Sequence, residues 1–169
     1  LGEGSKFTVI MEYRIADKGY YEQDTDMSPD TEETDGISGK HVLLAEDNDL
    51  NAEIAEFILE DMGLIVERVE DGIQCVAKME QKPAGTYDLI LMDIQMPNMD
   101  GYQATQEIRR LADKQKAGIP IVAMTANAFE EDRKKALAKG MNGHVAKPVD
   151  AEKLKRTILS ALSRRTNNK

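Results

Sequence analysis

Residues 89–93 read Leu-Ile-Leu-Met-Asp, four apolar residues followed by an acid. A short run without polar interruption is typical of a strand covered on both faces, as in parallel sheets that lie between helices. Residues 41–45, His-Val-Leu-Leu-Ala, form a second compact run that leads directly into Glu46-Asp47. The two runs therefore predict strands of a buried parallel sheet, each with an acid at its carboxyl end.

Outward from these runs, the chain from about residue 40 alternates short apolar runs with apolar residues at helical spacing. Predicted strands lie at 41–45, 65–69, 89–92, 121–124 and 144–146, and predicted helices at 51–62, 72–80, 102–111 and 129–139, before a last helix with Leu154, Ile158 and Leu162 on one stripe. Five strands alternating with five helices predict an α/β fold, a doubly wound parallel sheet with helices on both faces.

Candidate functional residues come directly after the apolar runs, where ligands bind in sheets of this class. They are Glu46 and Asp47 after the first strand, Asp93 after the third, Thr125 after the fourth and Lys147 after the fifth. Crowded carboxylates repel one another unless a cation lies among them, and oxygen ligands favour a hard ion such as Mg²⁺. A hydroxyl and an ammonium group suit the remaining oxygens of a phosphoryl group.

This set of residues predicts Mg²⁺-dependent phosphoryl transfer onto a carboxylate. We expect Asp93 to be the nucleophile, because it ends the most apolar strand and leaves Glu46 and Asp47 to hold the metal ion. A single Asp after a strand is more often a turn residue or a helix cap. The prediction therefore rests on the joint placement of all five residues.

Four motifs in this order are similar to the receiver domains of response regulators in two-component signalling. They are Val42-Leu-Leu-Ala-Glu-Asp-Asn48, Leu89-Ile-Leu-Met-Asp-Ile-Gln-Met-Pro-Asn-Met-Asp-Gly101, Met124-Thr-Ala-Asn-Ala128 and His144-Val-Ala-Lys-Pro148. The resemblance covers about residues 39–164. It implies a flavodoxin-like (βα)₅ fold with strand order 2-1-3-4-5.

The resemblance also assigns roles to individual residues. It implies Asp93 as phosphoacceptor, with Glu46, Asp47, Asp93 and the Gln95 backbone carbonyl around Mg²⁺. It implies Thr125 as the switch hydroxyl and Lys147 as the cation that contacts the phosphoryl group. The face formed by the fourth predicted helix, the fifth strand and the fifth helix would then change shape on phosphorylation.

Two positions depart from the common pattern of the family. His144 stands where relatives often carry Tyr or Phe, so this switch position would add pH dependence near neutrality, unless the residue is only a solvent-facing histidine. Glu46 stands where many relatives have Asp, and its longer arm suggests contact with the metal through water. Asp47 is then the firmer direct ligand.

Other segments resemble parts of hybrid sensor histidine kinases. Phe129-Glu-Glu-Asp-Arg-Lys-Lys-Ala136 is similar to receivers carried by such kinases, and Gly2-Glu-Gly-Ser-Lys-Phe7 with the alternating residues 7–15 resembles the end of a kinase ATP-binding domain. We expect this chain to be the carboxyl-terminal part of such a kinase. It lacks a kinase core, so we expect it to catalyse at most its own phosphotransfer and dephosphorylation.

The charge of the chain is unevenly distributed. Residues 12–35 hold nine acids and two bases, a net charge of −7 out of −9 for the whole chain. Such a segment cannot bury enough apolar surface to fold, which predicts a linker, with an acidic recognition tail as the lesser alternative. We therefore divide the chain into a remnant strand (1–15), an acidic flexible linker (16–38), the receiver (39–165) and a tail (166–169).

Composition excludes several classes of function. A formal charge of −9 argues against a basic nucleic-acid face, and the sequence contains neither an apolar run of about eighteen residues nor a signal peptide. The single cysteine, Cys75, suits a reducing cytosol and is expected in the core. We expect a cytoplasmic domain without direct membrane contact, monomeric or weakly dimeric, whose partner is a phosphohistidine donor (its own kinase core or a histidine phosphotransfer protein).

Two other functions remain as alternatives. One is a pseudo-receiver that docks a partner without being phosphorylated. The other is a small metal-dependent phosphatase with an aspartyl intermediate, although such enzymes commonly carry a second Asp where this chain has Gln95.

Overall fold

A computed structural model of the chain describes residues 36–126 and 130–166. Five strands form one sheet in the order β2-β1-β3-β4-β5, and every pair of neighbouring strands is parallel. The strands are β1 (His41–Ala45), β2 (Ile65–Val69), β3 (Leu89–Asp93), β4 (Ile121–Thr125) and β5 (Gly143–Ala146). The predicted fold class and strand order are confirmed.

Helices connect the strands and lie on both faces of the sheet. They are α1 (Asp49–Asp61), α2 (Gly72–Gln81), α3 (Gly101–Arg110), α4 (Lys114–Ala117), α5 (Glu130–Ala138) and α6 (Ala151–Thr166). The one-turn helix α4 is an addition to the prediction, since four residues are too few to show an apolar period. Its first turn is stabilised by Asp113, whose side chain accepts hydrogen bonds from the backbone of Gln115 and Lys116. The fourth and fifth predicted helices are therefore α5 and α6.

The sheet separates two apolar cores. Successive residues of β1 alternate between them, with Leu43 in the core toward α2, α3 and α5 and Leu44 in the core toward α1 and α6. Every residue of β3 and β4 is buried. Since each fully buried aliphatic side chain stabilises the fold by about 1.5–3 kcal/mol, the central strands are a rigid base for residues at their ends. Cys75 is fully buried here, as predicted.

The described part of the chain begins by packing into the core. Ile37 is fully buried in the same cluster as Leu59 and Leu64, and the Gly39 N–H donates to the Gly63 carbonyl at 2.8 Å. The predicted remnant strand (1–15) and residues 16–35 of the predicted linker (16–38) lie outside the described residues, as do 127–129 and 167–169. The domain boundaries stay a prediction, although the core begins no later than Ile37. Among the described helices, none has the length and apolar character needed to cross a membrane.

Candidate functional site

The carboxyl edge of the sheet brings together residues that are distant in sequence. Asp93 is the last residue of β3, Glu46 follows β1, and Lys147 follows β5. Side-chain oxygens of Glu46, Asp47 and Asp93 all lie within 4.8 Å of one another. The parallel arrangement places these strand ends at one edge, so the expected convergence of acids is a direct result of topology.

Lys147 joins two of the acids. Its Nζ lies 2.6 Å from Glu46 Oε2 and 2.8 Å from Asp93 Oδ2. Burial of the ammonium group lowers the pKa of Lys147, but hydrogen bonds to Asp93 and Glu46 outweigh that effect and the pKa is raised overall. Lys147 therefore stays protonated at neutral pH and neutralises one of the three carboxylate charges.

Glu46 is held by neighbours on two other elements. Its side chain is fully buried, and its Oε1 accepts a hydrogen bond from Asn51 Nδ2 on α1 at 3.1 Å. Its backbone carbonyl accepts from Nε and Nη2 of Arg68 on β2, both at 3.2 Å. Nη2 of Arg68 also contacts the Asp49 carboxylate at 2.8 Å. The turn that carries Glu46 and Asp47 is thus held from both sides.

Arg68 and Asn51 were not among the predicted site residues. The available signal for Arg68 was its position next to last in the strand that neighbours β1, where a long cation can reach the acids after β1. Asn51 offered a weaker signal, five residues after Glu46 in the first turns of α1. Neither signal distinguishes a residue of the site from an ordinary surface residue.

The site carries more negative than positive charge. Lys147 contacts two of the three carboxylates, Glu46 and Asp93, which are buried, while Asp47 is exposed. An all-oxygen donor set with surplus negative charge fits Mg²⁺, a hard cation that takes one or two carboxylates and keeps several waters. The residues present therefore suit the predicted ion.

The turn after β3 folds back onto Asp93. The Gln95 N–H donates to Asp93 Oδ1 at 3.2 Å. A Cβ added to Gly101 would lie 2.2 Å from the Asp93 carbonyl oxygen, so only glycine permits this close approach. Gln95 is exposed, and its carbonyl as a metal ligand stays a prediction.

Thr125 and His144 lie on the two strands beyond β3. Thr125 ends β4 and is buried, and its carbonyl accepts the Lys147 N–H at 2.7 Å. His144 is half-buried on β5 and pairs in register with Ala123. The structure thus places Thr125 beside Lys147, and the switching roles of both residues stay predictions.

A small recess of about 40 Å³ opens beside Lys147. Glu46 and Asn51 line its polar side, and Ile54 and Val149 line its apolar side. Along the outer face of α1, three large apolar side chains are exposed to solvent: Leu50 (65%), Ile54 (44%) and Phe57 (72%). An apolar surface therefore borders the acidic site.

Comparisons with known proteins agree with this geometry. The family model described as response regulator receiver domain matches residues 42–159. Sensor protein GacS of Pseudomonas syringae pv. syringae is 40% identical over 119 residues, which cover 70% of this chain and 13% of that protein. Histidine kinase 1 of Arabidopsis thaliana is 37% identical over 154 residues, covering 73% of this chain and 13% of that protein. The chain thus spans only a small part of these relatives.

Solved structures show the same fold. The receiver domain of sensor histidine kinase PA1611 from Pseudomonas aeruginosa PAO1, described with a magnesium ion coordinated in its active site cleft, has 41% identity and a TM-score of 0.65 and covers 75% of this chain and 99% of that one. The chemotaxis response regulator CheY4 of Vibrio cholerae has 28% identity and a TM-score of 0.62, with 75% and 98% covered.

Proposed function

Because this chain belongs to the response regulator receiver domain family, we propose that it accepts a phosphoryl group on Asp93 from a phosphohistidine donor, in a Mg²⁺-dependent reaction. The observation that carries the proposal is the buried Asp93 carboxylate, with Lys147 on one oxygen and two further acids within 4.8 Å. A nucleophile, a lysine cation beside it and a set of oxygen ligands for a metal ion are the parts that phosphoryl transfer needs.

The transfer would proceed by direct displacement. A carboxylate oxygen of Asp93 forms the new O–P bond, while the N–P bond of the phosphohistidine breaks and the imidazole nitrogen leaves with the electron pair and takes up a proton. Lys147 is already hydrogen-bonded to Asp93, so a small movement brings it to a phosphoryl oxygen. The Thr125 hydroxyl at the end of β4 would take a second oxygen.

Mg²⁺ would supply positive charge against the phosphoryl oxygens. Asp47 and Asp93 are the direct carboxylate ligands in our assignment, together with the Gln95 carbonyl. Both oxygens of Glu46 already contact other side chains, Asn51 and Lys147, which supports a contact with the ion through water.

The surface around the site supports a protein donor. A phosphohistidine on a protein has to reach Asp93 from the carboxyl edge of the sheet. The exposed Leu50, Ile54 and Phe57 of α1 border that edge and would lose water on contact with a donor helix. We propose that this donor is the kinase core of a hybrid histidine kinase or a histidine phosphotransfer protein in the cytosol. Two similar proteins support this, Histidine kinase 1 of Arabidopsis thaliana, of which the chain covers 13%, and the receiver domain of sensor histidine kinase PA1611.

The readout would be a change of the face formed by α5, β5 and α6. Phosphorylation leaves about −2 charges on the phosphoryl group, and the Thr125 hydroxyl moves toward it. His144 on β5 would follow into the space that Thr125 leaves. This two-state arrangement would convert a local charge into a new binding surface.

Phosphotransfer to purified protein tests the proposal. A ³²P-labelled phosphohistidine domain should label the wild-type chain in Mg²⁺, and Asp93→Asn or excess EDTA should reduce labelling at least about 100-fold. Asp113→Asn is the matched control, since Asp113 caps α4 away from the site. Equal labelling of wild type and Asp93→Asn would contradict the assignment of Asp93. Absence of labelling with preserved partner binding would favour the pseudo-receiver.

A further inference from the structure

The turn between β3 and α3, residues 94–100, is held at its middle by a side chain from another element. Asn98 Nδ2 donates to Asp71 Oδ2 at 2.8 Å. The other oxygen of Asp71 accepts the Gln74 N–H at 2.8 Å and so caps α2. Asp71 is only 7% exposed, so both of its oxygens are committed inside the protein.

The backbone makes a second link at the same place. The Gly72 N–H donates to the Met99 carbonyl at 3.2 Å. A Cβ added to Gly72 would lie 2.5 Å from that carbonyl oxygen, which shows how closely the start of α2 approaches the turn. Asn98 has φ of 61°, in the left-handed region that Asn and Asp tolerate better than most residues. The start of α2 is thus a fixed support for the turn.

Hydrogen bonds at both ends of the same turn join it to Asp93 or to Ile94, the residue after Asp93. At its beginning, the Gln95 N–H donates to Asp93 Oδ1 at 3.2 Å. At its end, the Gly101 N–H donates to the Ile94 carbonyl at 3.1 Å. A shift at Asn98 therefore reaches the Asp93 carboxylate through only three intervening backbone positions.

We propose that Asp71 is a positioning residue, which acts through Asn98 to fix the orientation of the Asp93 carboxylate and of Gln95. The proposal rests on the proposed function for the consequence of that positioning. Asp71 does not touch the reacting atoms. It sets the conformation of the turn that directly follows Asp93 and contains Gln95, one of the assigned metal ligands, as outer hydrogen-bond partners do in metal sites.

A reciprocal exchange of side chains tests the link. Asp71→Ser retains an oxygen to cap α2 but is too short to reach Asn98, whereas Asp71→Asn alone would let the Asn98 amide rotate and reform a bond. Asn98→Asp instead places two carboxylates against each other. In the double variant Asp71→Asn/Asn98→Asp, the bond reforms with its direction reversed and the net charge is that of wild type. Asp113→Asn, at another helix cap, is the matched control.

The first measurement uses metal-free protein. We expect faster hydrogen exchange at the Gln95 amide in the single variants Asp71→Ser and Asn98→Asp, and wild-type exchange in the double variant and in Asp113→Asn. The second is Mg²⁺ titration at a temperature where all variants are folded. The single variants should bind about tenfold more weakly, and the double variant should recover to within about threefold of wild type.

Unchanged Gln95 exchange and Mg²⁺ affinity in both single variants would overturn the proposal, as would a double variant that recovers stability but not these two properties. If wild type itself neither binds Mg²⁺ nor is labelled, the proposed function fails. The exchange data then still decide whether Asp71 positions the turn.

Discussion

Two charged clusters in this domain each pair a glutamate with a lysine but end with different charge balances. The Glu67 cluster is formed by Glu67 on the edge strand β2, Lys78 on α2 and Tyr87. Glu67 Oε1 accepts from Lys78 Nζ and Oε2 accepts from the Tyr87 hydroxyl, each at 2.5 Å. One carboxylate pairs with one ammonium group and one hydroxyl. The charges of this cluster therefore balance and both carboxylate oxygens have a donor, so we call the cluster complete.

The site at the strand ends is not balanced in this way. Three carboxylates lie close together, and the ammonium group of Lys147 contacts two of them, Glu46 and Asp93. Negative charge that the described protein atoms leave uncompensated is a reason to bind a cation, whereas the Glu67 cluster has no such surplus. The charge that remains after pairing therefore indicates better than the number of ion pairs whether a cluster binds a cation.

The largest expected difference between the clusters is in their lysines. Lys147→Met leaves Glu46 and Asp93 buried beside each other, so the free energy of unfolding in EDTA should fall by about 3 kcal/mol. Lys78→Met removes a half-exposed partner and should cost less than about 1 kcal/mol. Urea unfolding of both variants measures the difference. Addition of Mg²⁺ should recover part of the loss for Lys147→Met only; equal losses in the two variants would contradict the comparison.

The acids should differ in metal binding. Glu46→Gln removes one of the three charges at the site and should raise the dissociation constant for Mg²⁺ about tenfold. Glu67→Gln makes the same chemical change in the complete cluster and should leave Mg²⁺ affinity unchanged. Calorimetric titration of the two variants provides the check. A loss of affinity in Glu67→Gln would show that the clusters are coupled.

The smallest effect concerns pH. Hydrogen bonds from Lys78 and then from Tyr87 lower the pKa of Glu67 from its usual value, with burial opposing them. A depressed pKa in the folded state stabilises the protein above the unfolded pKa, and this contribution is lost as the pH falls through the folded value.

Glu67→Gln should therefore lower stability by less than about 1 kcal/mol at pH 7, because the group is partly exposed. The difference should shrink below about pH 4, and urea unfolding at pH 7 and pH 3.5 measures it. A difference that grows on acidification would contradict the assigned direction.

Prediction from sequence succeeded where information was local. The apolar runs of β1 and β3 are each contiguous in sequence. The residue after each run lies at the carboxyl edge of the sheet regardless of how the helices pack. This is why Glu46, Asp47 and Asp93 could be placed together before the structure was known. Thr125 and Lys147 follow from the same rule.

What escaped prediction depends on side chains that reach between elements. Arg68 holds the Glu46 carbonyl across 22 residues, and Asp71 holds Asn98 across 27. Pairings of this kind follow from rotamers and from the exact approach of α2 to the β3–α3 turn, which the apolar period does not encode. Helix α4 was missed for a simpler reason, since a single capped turn has no periodicity.

The burial of Ile37 fixes where the described chain enters this domain. Ile37 anchors the entry of the chain near Gly63, at the amino edge of the sheet. A five-residue strand is about 16 Å long, so this point of attachment is separated from the acidic edge by the depth of the sheet. The entry point and the chemistry occupy opposite poles of the domain. Within the described residues, the chain therefore enters the domain at the pole opposite the acidic site and does not cross that site.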